Sequence, residues 1–263
     1  MSFLQAIVLS IVEGLSEFLP ISSTGHLVLA SHILNLEQTE FLKSFQIFIQ
    51  LGAIFAVPFL YWKKLLNNFY LWKLIVVGFL PAGVLGFLFF DYIKGTLVGN
   101  EWVTVLALFG GGIFLIYYER MFYDRSASAN LDHSPSGVDS HLSIKRAFLI
   151  GLAQSVSMIP GVSRAAATIV GGLLVGLNKK TVVEFSFLLA IPTVLGATTL
   201  DLVKSDFSFT QQEWMVLSVG FIGSFITAIA AIKFLISWVQ THNFSAFGVY
   251  RIAVAVLYGL VFL

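Results

Sequence analysis

Two glutamates one helical turn apart lie within an apolar stretch near the amino terminus. Glu13 and Glu17 occupy positions i and i+4, so a helix would carry both carboxyl groups on one face. A charge at the centre of a bilayer costs about 2.5–3.5 kcal/mol on insertion scales, so acids there indicate a functional site. Two such acids repel each other unless a cation or an arginine lies between them. The pair is a candidate ligand set for a divalent cation, Mg²⁺ or Ca²⁺. A purely structural pair, satisfied by backbone groups, is the alternative.

The same stretch is then broken by a short polar motif that supplies hydroxyl groups and an imidazole. Pro20 ends the first helical arm, and Ser22, Ser23 and Thr24 are residue types that cap the start of a second arm. Ser23 and His26 are three positions apart and can face the same way, as a nucleophile and its base require. The motif therefore predicts a nucleophilic pair, and helix capping alone is the structural alternative.

A second broken stretch contains a single basic residue. Its motif Pro-Gly-Val-Ser-Arg ends at Arg164, and Thr168 follows one turn later. A planar guanidinium suits a phosphate, and the free N–H groups of a helix beginning near Ser163 also favour an anion. These residues predict an anion site. A salt bridge between Arg164 and Glu17 that ties the two breaks together is the structural alternative, and it is compatible with function.

The composition shows what must position these residues. Of 263 residues, 57% are hydrophobic and only 11% are charged, and the mean hydropathy is +0.90. Soluble domains carry about 25% charged residues, so an ordinary soluble enzyme is excluded. The net charge of +1 gives no case for nucleic-acid binding. The absence of cysteine excludes disulfides and thiolate chemistry. The chain is predicted to be an all-α integral membrane protein.

The distribution of lysine and arginine predicts the topology. The two broken stretches, 3–33 and 147–177, could each span the membrane or form a re-entrant helical hairpin. If both are re-entrant, eleven Lys and Arg residues share one side and three lie on the other, whereas two spanning stretches give eight against six. The positive-inside rule therefore favours six transmembrane helices plus two re-entrant hairpins. The eleven are Lys63, Lys64, Lys73, Arg120, Arg125, Lys145, Arg146, Lys179, Lys180, Lys233 and Arg251.

Weak internal similarity predicts a repeat. Residues 6–13 align with 147–154 at an offset of 141, and residues 77–80 align with 219–222 at an offset of 142. With three spans in each half, the repeats 1–118 and 147–263 would have inverted topology, joined by an exposed loop at 119–146. Inverted repeats place their sites where broken helices meet near the membrane midplane.

Together the candidate residues predict phosphate chemistry in a membrane cavity. Carboxylates with a metal, an arginine and helix N-termini are the recurring elements of phosphoryl transfer. A phosphorylated lipid is the natural substrate at this depth. The residues alone do not choose between hydrolysis of such a lipid and its transport. A non-catalytic scaffold would leave the convergence of the polar residues unexplained.

Four segments resemble those of one family, the undecaprenyl-diphosphate phosphatases of bacitracin resistance. The resemblance runs from Gln5 to Leu257, and its two main motifs are long and specific. One departure is Ala165, where the family often has serine after the motif arginine. The segments are Glu13–His26, Gln50–Ile54, Pro160–Thr168 and Glu184–Thr193.

The resemblance implies a hydrolase of the bacterial inner membrane. It would convert undecaprenyl diphosphate to undecaprenyl phosphate and inorganic phosphate, which recycles the lipid carrier of peptidoglycan synthesis. The site would use a divalent cation and open to the outer, periplasmic face. A homodimer is possible, and transport or flipping of an anionic polyprenyl lipid or small anion is the alternative function.

The resemblance and the residues together give each site residue a hypothetical role. Glu13 and Glu17 would hold the metal, and Ser23 would attack the terminal phosphorus with His26 as its base, although His26 could itself be the nucleophile. The residues expected to bind the diphosphate are Arg164, Ser163, Thr168 and Ser22.

Overall fold

The computed structural model describes residues 1–37, 39–97, 100–129, 142–203 and 209–262. Within these ranges the regular secondary structure is entirely helical. The all-α fold class predicted from the sequence is therefore confirmed.

Six of the helices in these ranges are long and apolar enough to cross a membrane. Their outer surfaces carry large apolar side chains such as Phe69 and Phe87, which are 90% and 72% exposed. Such surfaces suit contact with lipid, and they confirm a multi-pass integral membrane protein. The six are α3 (Glu40–Asn67), α4 (Phe69–Leu88), α6 (Glu101–Ala129), α9 (Lys179–Val203), α10 (Gln211–Thr241) and α11 (Ser245–Phe262).

Four shorter helices form two hairpins at the predicted breaks. The first pairs α1 (Phe3–Ser16) with α2 (Ser23–Ile33), and the second pairs α7 (Ile144–Gln154) with α8 (Arg164–Leu174). Helices of 14 and 11 residues fall short of the about 20 residues that a span requires. The sequence thus locates both hairpins, while their re-entrant course through a bilayer stays a prediction. Short segments complete the chain: α5 (Phe90–Tyr92), a π-helix (Ile93–Leu97) and a 3₁₀ turn (Ser155–Met158).

Polar caps begin many of these helices. Each cap residue accepts a hydrogen bond from a backbone N–H of its own first turn. An unpaired N–H is costly in an apolar medium, so such residues fix where an apolar helix begins. The capping residues are Ser2, Thr39, Asn68, Ser143, Ser163 and Thr210.

Each hairpin packs through its first arm against a spanning helix of the other half. The arm α1 packs along α10, and α7 packs along α4. Glycines allow the close approach: a Cβ on Gly151 would clash with the carbonyl of Gly78, and one on Gly14 would clash with Thr227. Such reciprocal packing is expected if the two halves are repeats that each pack their hairpin against the other. The division into repeats at 1–118 and 147–263 remains a prediction.

Two features differ from the predicted topology. Helix α6 continues to Ala129, so the predicted loop 119–146 is helical at its start, and residues 130–141 lie outside the described residues. Arg251 is fully buried inside α11. Its count among the charges at one membrane surface is therefore wrong, and ten Lys and Arg residues remain on that side against three.

Candidate active site

Glu17 connects the tips of the two hairpins. One carboxylate oxygen, Oε1, accepts a hydrogen bond from Arg164 Nη2 at 2.9 Å, and the other, Oε2, accepts one from the Ser23 hydroxyl at 2.6 Å. Charge-assisted hydrogen bonds of this length are the strong ones. The predicted salt bridge between Arg164 and Glu17 is thus present, and it places the Ser23 hydroxyl in the same cluster.

His26 lies outside this cluster. Its Nδ1 is 2.8 Å from the carbonyl of Ser22, and its Nε2 is 2.8 Å from the Tyr250 hydroxyl. A carbonyl only accepts, so Nδ1 carries the proton and Nε2 accepts from Tyr250. The ring also stacks on that of Tyr250 at a centroid distance of 5.5 Å. Because both nitrogens are engaged, the predicted contact between Ser23 and His26 does not form.

Glu13 is the unsatisfied acid of the site. Its side chain is fully buried, and neither carboxylate oxygen has a hydrogen-bond partner among the described residues. A lone buried carboxylate is unfavourable, and hard cations prefer such oxygen ligands. Glu17 is one turn away, but its oxygens already contact Ser23 and Arg164. In the ranges that the structure describes, no group of three or more His, Cys, Asp or Glu residues could hold a metal.

Two of the predicted phosphate-binding residues make hydrogen bonds within the protein. Thr168 is fully buried, and its hydroxyl lies 2.6 Å from that of Ser186 and within 3.1 Å of two carbonyls of its own helix. The Ser186 carbonyl accepts from Arg164 Nη1 at 3.0 Å. Thr168 therefore supports Ser186, whose carbonyl holds the Arg164 guanidinium. The Ser163 hydroxyl caps α8 by accepting from Ala166 N at 3.2 Å.

Ser22 and Ser163 share an unusual backbone conformation. Each immediately precedes the second arm of its hairpin, and each has a φ of 74°. Their positions differ by 141 residues, the offset of the sequence repeat. Non-glycine residues seldom adopt positive φ, and strained backbone of this kind concentrates at functional sites. The Ser22 side chain makes no capping hydrogen bond.

A cavity of about 790 Å³ opens beside this cluster. One wall is polar and contains Glu17, Ser23 and Arg164. Another part of the wall is largely apolar. Its residues from α4 to the π-helix are Phe79, Ala82, Gly83, Gly86, Phe87, Phe90 and Ile93. A cavity with these two walls suits a ligand that carries an anionic head and an apolar chain.

Polar residues that the sequence did not identify as site residues also line the cavity. Gln154 is buried, and its amide Nε2 donates to the Thr193 hydroxyl at 3.0 Å. It occupies the position that the repeat aligns with Glu13, and this alignment could have identified it. Gln50 lies in a segment that resembles the family and lines the same cavity.

The fold and the site together define a class: a multi-pass membrane protein whose two helical hairpins bring a serine, a carboxylate and an arginine into one cavity. The profile of the bacitracin resistance protein BacA family matches residues 6–257. The chain belongs to this family.

Relatives match over almost their whole length. A protein of Aquifex aeolicus is 49% identical, with 98% of each chain covered. One from Sulfurihydrogenibium is 46% identical with 99% of each covered, and one from Thermus thermophilus is 42% identical with 98% of this chain and 97% of its own covered. All three carry the name undecaprenyl-diphosphatase.

Proposed function

We propose that this chain hydrolyses undecaprenyl diphosphate to undecaprenyl phosphate and inorganic phosphate. The reaction would recycle the lipid carrier of peptidoglycan synthesis and confer bacitracin resistance. The observation that carries the proposal is the Glu17 carboxylate, which contacts both Ser23 and Arg164 at the wall of the cavity. The names of the relatives support the substrate.

Ser23 is the nucleophile in this proposal, and Glu17 replaces His26 as its base. The Ser23 oxygen attacks the terminal phosphorus while its proton passes to Glu17 Oε2, which already accepts its hydrogen bond. The bond from that phosphorus to the bridging oxygen breaks, and undecaprenyl phosphate leaves with the oxygen. Water then attacks the phosphorus of the phosphoserine, and the bond from phosphorus to the serine oxygen breaks. Glu17 returns its proton to that oxygen, and phosphate leaves as dihydrogen phosphate with both protons of the water.

Arg164 binds the terminal phosphate. Its Nη atoms are held by Glu17 and by the Ser186 carbonyl, while its buried Nε has no partner among the described residues. A guanidinium has five N–H donors, so some remain for phosphate oxygens. Ser22 and Ser163, which both line the cavity, add donors at the start of the second arms. Thr168 does not contact the phosphate in this proposal. Its hydroxyl holds Ser186, which in turn holds Arg164.

A divalent cation, Mg²⁺ or Ca²⁺, is the cofactor that we propose. Glu13 would hold it through its two unpartnered oxygens, with Glu17 as the second carboxylate. Magnesium typically binds through one or two carboxylates together with waters and substrate phosphates. This mode suits a site that offers two acids. The cation would neutralise charge on the diphosphate.

Glu13→Gln is expected to separate metal binding from folding. Without metal, its melting temperature should equal or exceed that of the wild type, because the change removes a buried carboxyl group whose oxygens have no described hydrogen-bond partner. Added Mg²⁺ should raise the wild-type melting temperature but not that of the variant. The Mg²⁺ concentration for half-maximal activity should rise about tenfold or more, as expected when a metal ligand is lost.

The control for this experiment is Glu40→Gln, which changes an exposed acid paired with Lys43. It should keep the wild-type response to Mg²⁺. An equal Mg²⁺-induced shift in Glu13→Gln and the wild type would contradict the metal site.

The prenyl chain is proposed to lie along the apolar wall of the cavity, on α4. A second groove of about 720 Å³, lined mainly by α6 and α8, offers another apolar surface. Substitution of one glycine in each can show which of the two binds the prenyl chain, because Gly86 lines the first cavity and Gly110 lines the second groove. A Cβ at Gly86 would come no closer than 3.6 Å to another side chain, and one at Gly110 would meet nothing within 4 Å.

Gly86→Leu is therefore expected to raise KM for undecaprenyl diphosphate about tenfold, since filling apolar space by one branched side chain changes binding by 1–3 kcal/mol. Its kcat and melting temperature should change little. Gly110→Leu, the matched control, should leave KM within about twofold on the same scale. The reverse pattern would assign the prenyl chain to the second groove.

The bacterial inner membrane, with the cavity open to the outer face, is the location that we propose. The bias of Lys and Arg toward one side supports placing that side in the cytoplasm, and the family resemblance supports an opening to the opposite face. Because the chain contains no cysteine, single cysteines introduced into loops can be labelled from either side of a vesicle. The same cysteines allow cross-linking to test a homodimer, which is also part of the proposal.

Phosphate release from the purified protein tests the function. Undecaprenyl diphosphate in detergent micelles should yield inorganic phosphate, and both a chelator and Arg164→Ala should abolish the release. Binding of the lipid without release would favour a transporter or flippase and overturn the proposal.

A further inference from the structure

Arg251 is a fully buried cation at the meeting point of the two hairpins. All its described hydrogen bonds go to backbone carbonyls, and no described salt bridge involves it. Two of these carbonyls belong to α6, one to the tip of the first hairpin and two to the tip of the second. They are Ala107, Leu108, Pro20, Gly161 and Val162, at distances from 2.9 to 3.3 Å.

Gly111 on α6 makes room for this guanidinium. A Cβ at Gly111 would clash with Arg251 Nη2 and would lie 2.8 Å from its Cζ. The site is thus shaped for a planar cation, and one Nη1 atom reaches both hairpins by donating to Pro20 and Val162. The ammonium of a lysine has three donors on one atom and cannot reproduce this planar fork.

These hydrogen bonds act next to the strained serines. The Pro20 carbonyl is two residues before Ser22, and the Val162 carbonyl belongs to the peptide that joins Val162 to Ser163. A trans peptide directs its N–H away from its C=O. Binding of the Val162 carbonyl by Arg251 therefore directs the Ser163 N–H away from Arg251. Strained backbone persists only where its surroundings hold it, and Arg251 contacts both turns.

We propose that Arg251 is a positioning residue: it fixes the two hairpin tips relative to each other, so that Glu17 stays in contact with both Ser23 and Arg164. It acts through the backbone and does not touch the substrate. Its effect on turnover rests on the hydrolysis proposed above, whereas its effect on the hairpins does not.

The first test measures the geometry without activity. Leu15 on the first hairpin and Ile159 on the second, whose side chains are both exposed, are replaced by cysteine. Each cysteine then carries a spin label. The distance distribution between the labels should be narrow in the wild type and clearly broader in Arg251→Lys. Lys179→Met, which breaks a buried ion pair with Glu119, is the control for general destabilisation and should keep a narrow distribution. Equal distributions in the wild type and Arg251→Lys would overturn the proposal.

The second test measures turnover per folded protein. Arg251→Lys should lower kcat at least tenfold with KM changed less than threefold, as expected for lost alignment of reacting groups. Gly111→Ala should also lower kcat, because the added methyl group displaces the Arg251 guanidinium. In the Arg251→Lys background, Gly111→Ala should add less than a twofold effect, because the two changes act on one contact.

A kcat of Arg251→Lys equal to that of the wild type, or fully additive effects of the two changes, would overturn the proposal. If the wild type releases no phosphate, the proposed function fails, and the label distances still decide whether Arg251 fixes the hairpins.

Discussion

Replacing Arg164 with alanine is expected to lower kcat/KM by about 10³-fold or more, because it removes a preorganised charged donor from the phosphate site. Arg164 also balances the charge of Glu17, whose side chain is only 8% exposed. Its loss leaves a buried carboxylate unpaired, which itself costs several kcal/mol, about 3–5 in comparable pairs. Activity must therefore be measured on protein that is shown to be folded.

A second substitution separates these two effects. The double variant Arg164→Ala with Glu17→Gln should recover much of the lost melting temperature, since no buried charge remains unpaired. It should recover no phosphate release. Arg120→Ala, which removes an exposed arginine on α6, is the matched control and should retain full activity. Near-normal turnover by folded Arg164→Ala would contradict its role in binding the diphosphate.

Glu17→Gln is expected to lower kcat by about 10²–10⁴-fold, the range for removal of a general base. Glutamine has nearly the same shape and can still accept a hydrogen bond from Ser23, but it cannot take a proton at neutral pH. His26→Gln should lower kcat less than about tenfold, below that range. The imidazole contacts Ser22 and Tyr250 rather than Ser23, so its loss affects the start of α2 and its contact with α11.

Trapping of the intermediate gives an independent measurement. Quenching the reaction with a denaturing detergent at neutral pH preserves both phosphoserine and phosphohistidine. Mapping the modified peptide should then give phosphoserine at Ser23, and Ser23→Ala should abolish it. Phosphohistidine at position 26, or a larger kcat loss in His26→Gln than in Glu17→Gln, would restore the imidazole to the catalytic role.

The spanning helices and the hairpins could be predicted from the sequence because both follow from local composition. Long apolar stretches without charge give the spans, and Pro20 and Gly161 mark the breaks. The Arg164–Glu17 contact could also be anticipated, because few other embedded charges were available to pair. In each case, a charge or an unpaired backbone group has a high free energy in lipid, so few alternative structures are possible.

Contacts that depend on tertiary packing could not be predicted. The spacing of Ser23 and His26 permits a shared face, but the carbonyl of Ser22 competes for the imidazole and Glu17 competes for the hydroxyl. Arg251 follows a polar segment in the sequence, which favoured a place at the membrane surface. Only the packing of α11 against α6 and against the two hairpin tips shows that carbonyls surround it.

The two serines with positive φ bear on attempts to make this protein more robust. Glycine adopts such a backbone at no steric penalty, so a search for thermostabilising changes would select positions 22 and 163 first. At Ser163 the gain would be offset, because its hydroxyl caps α8. At Ser22 no cap would be lost, so glycine should raise the melting temperature. Serine at position 22 therefore lowers the stability of the folded state, which is the cost of holding a strained backbone and a hydroxyl group beside the cavity.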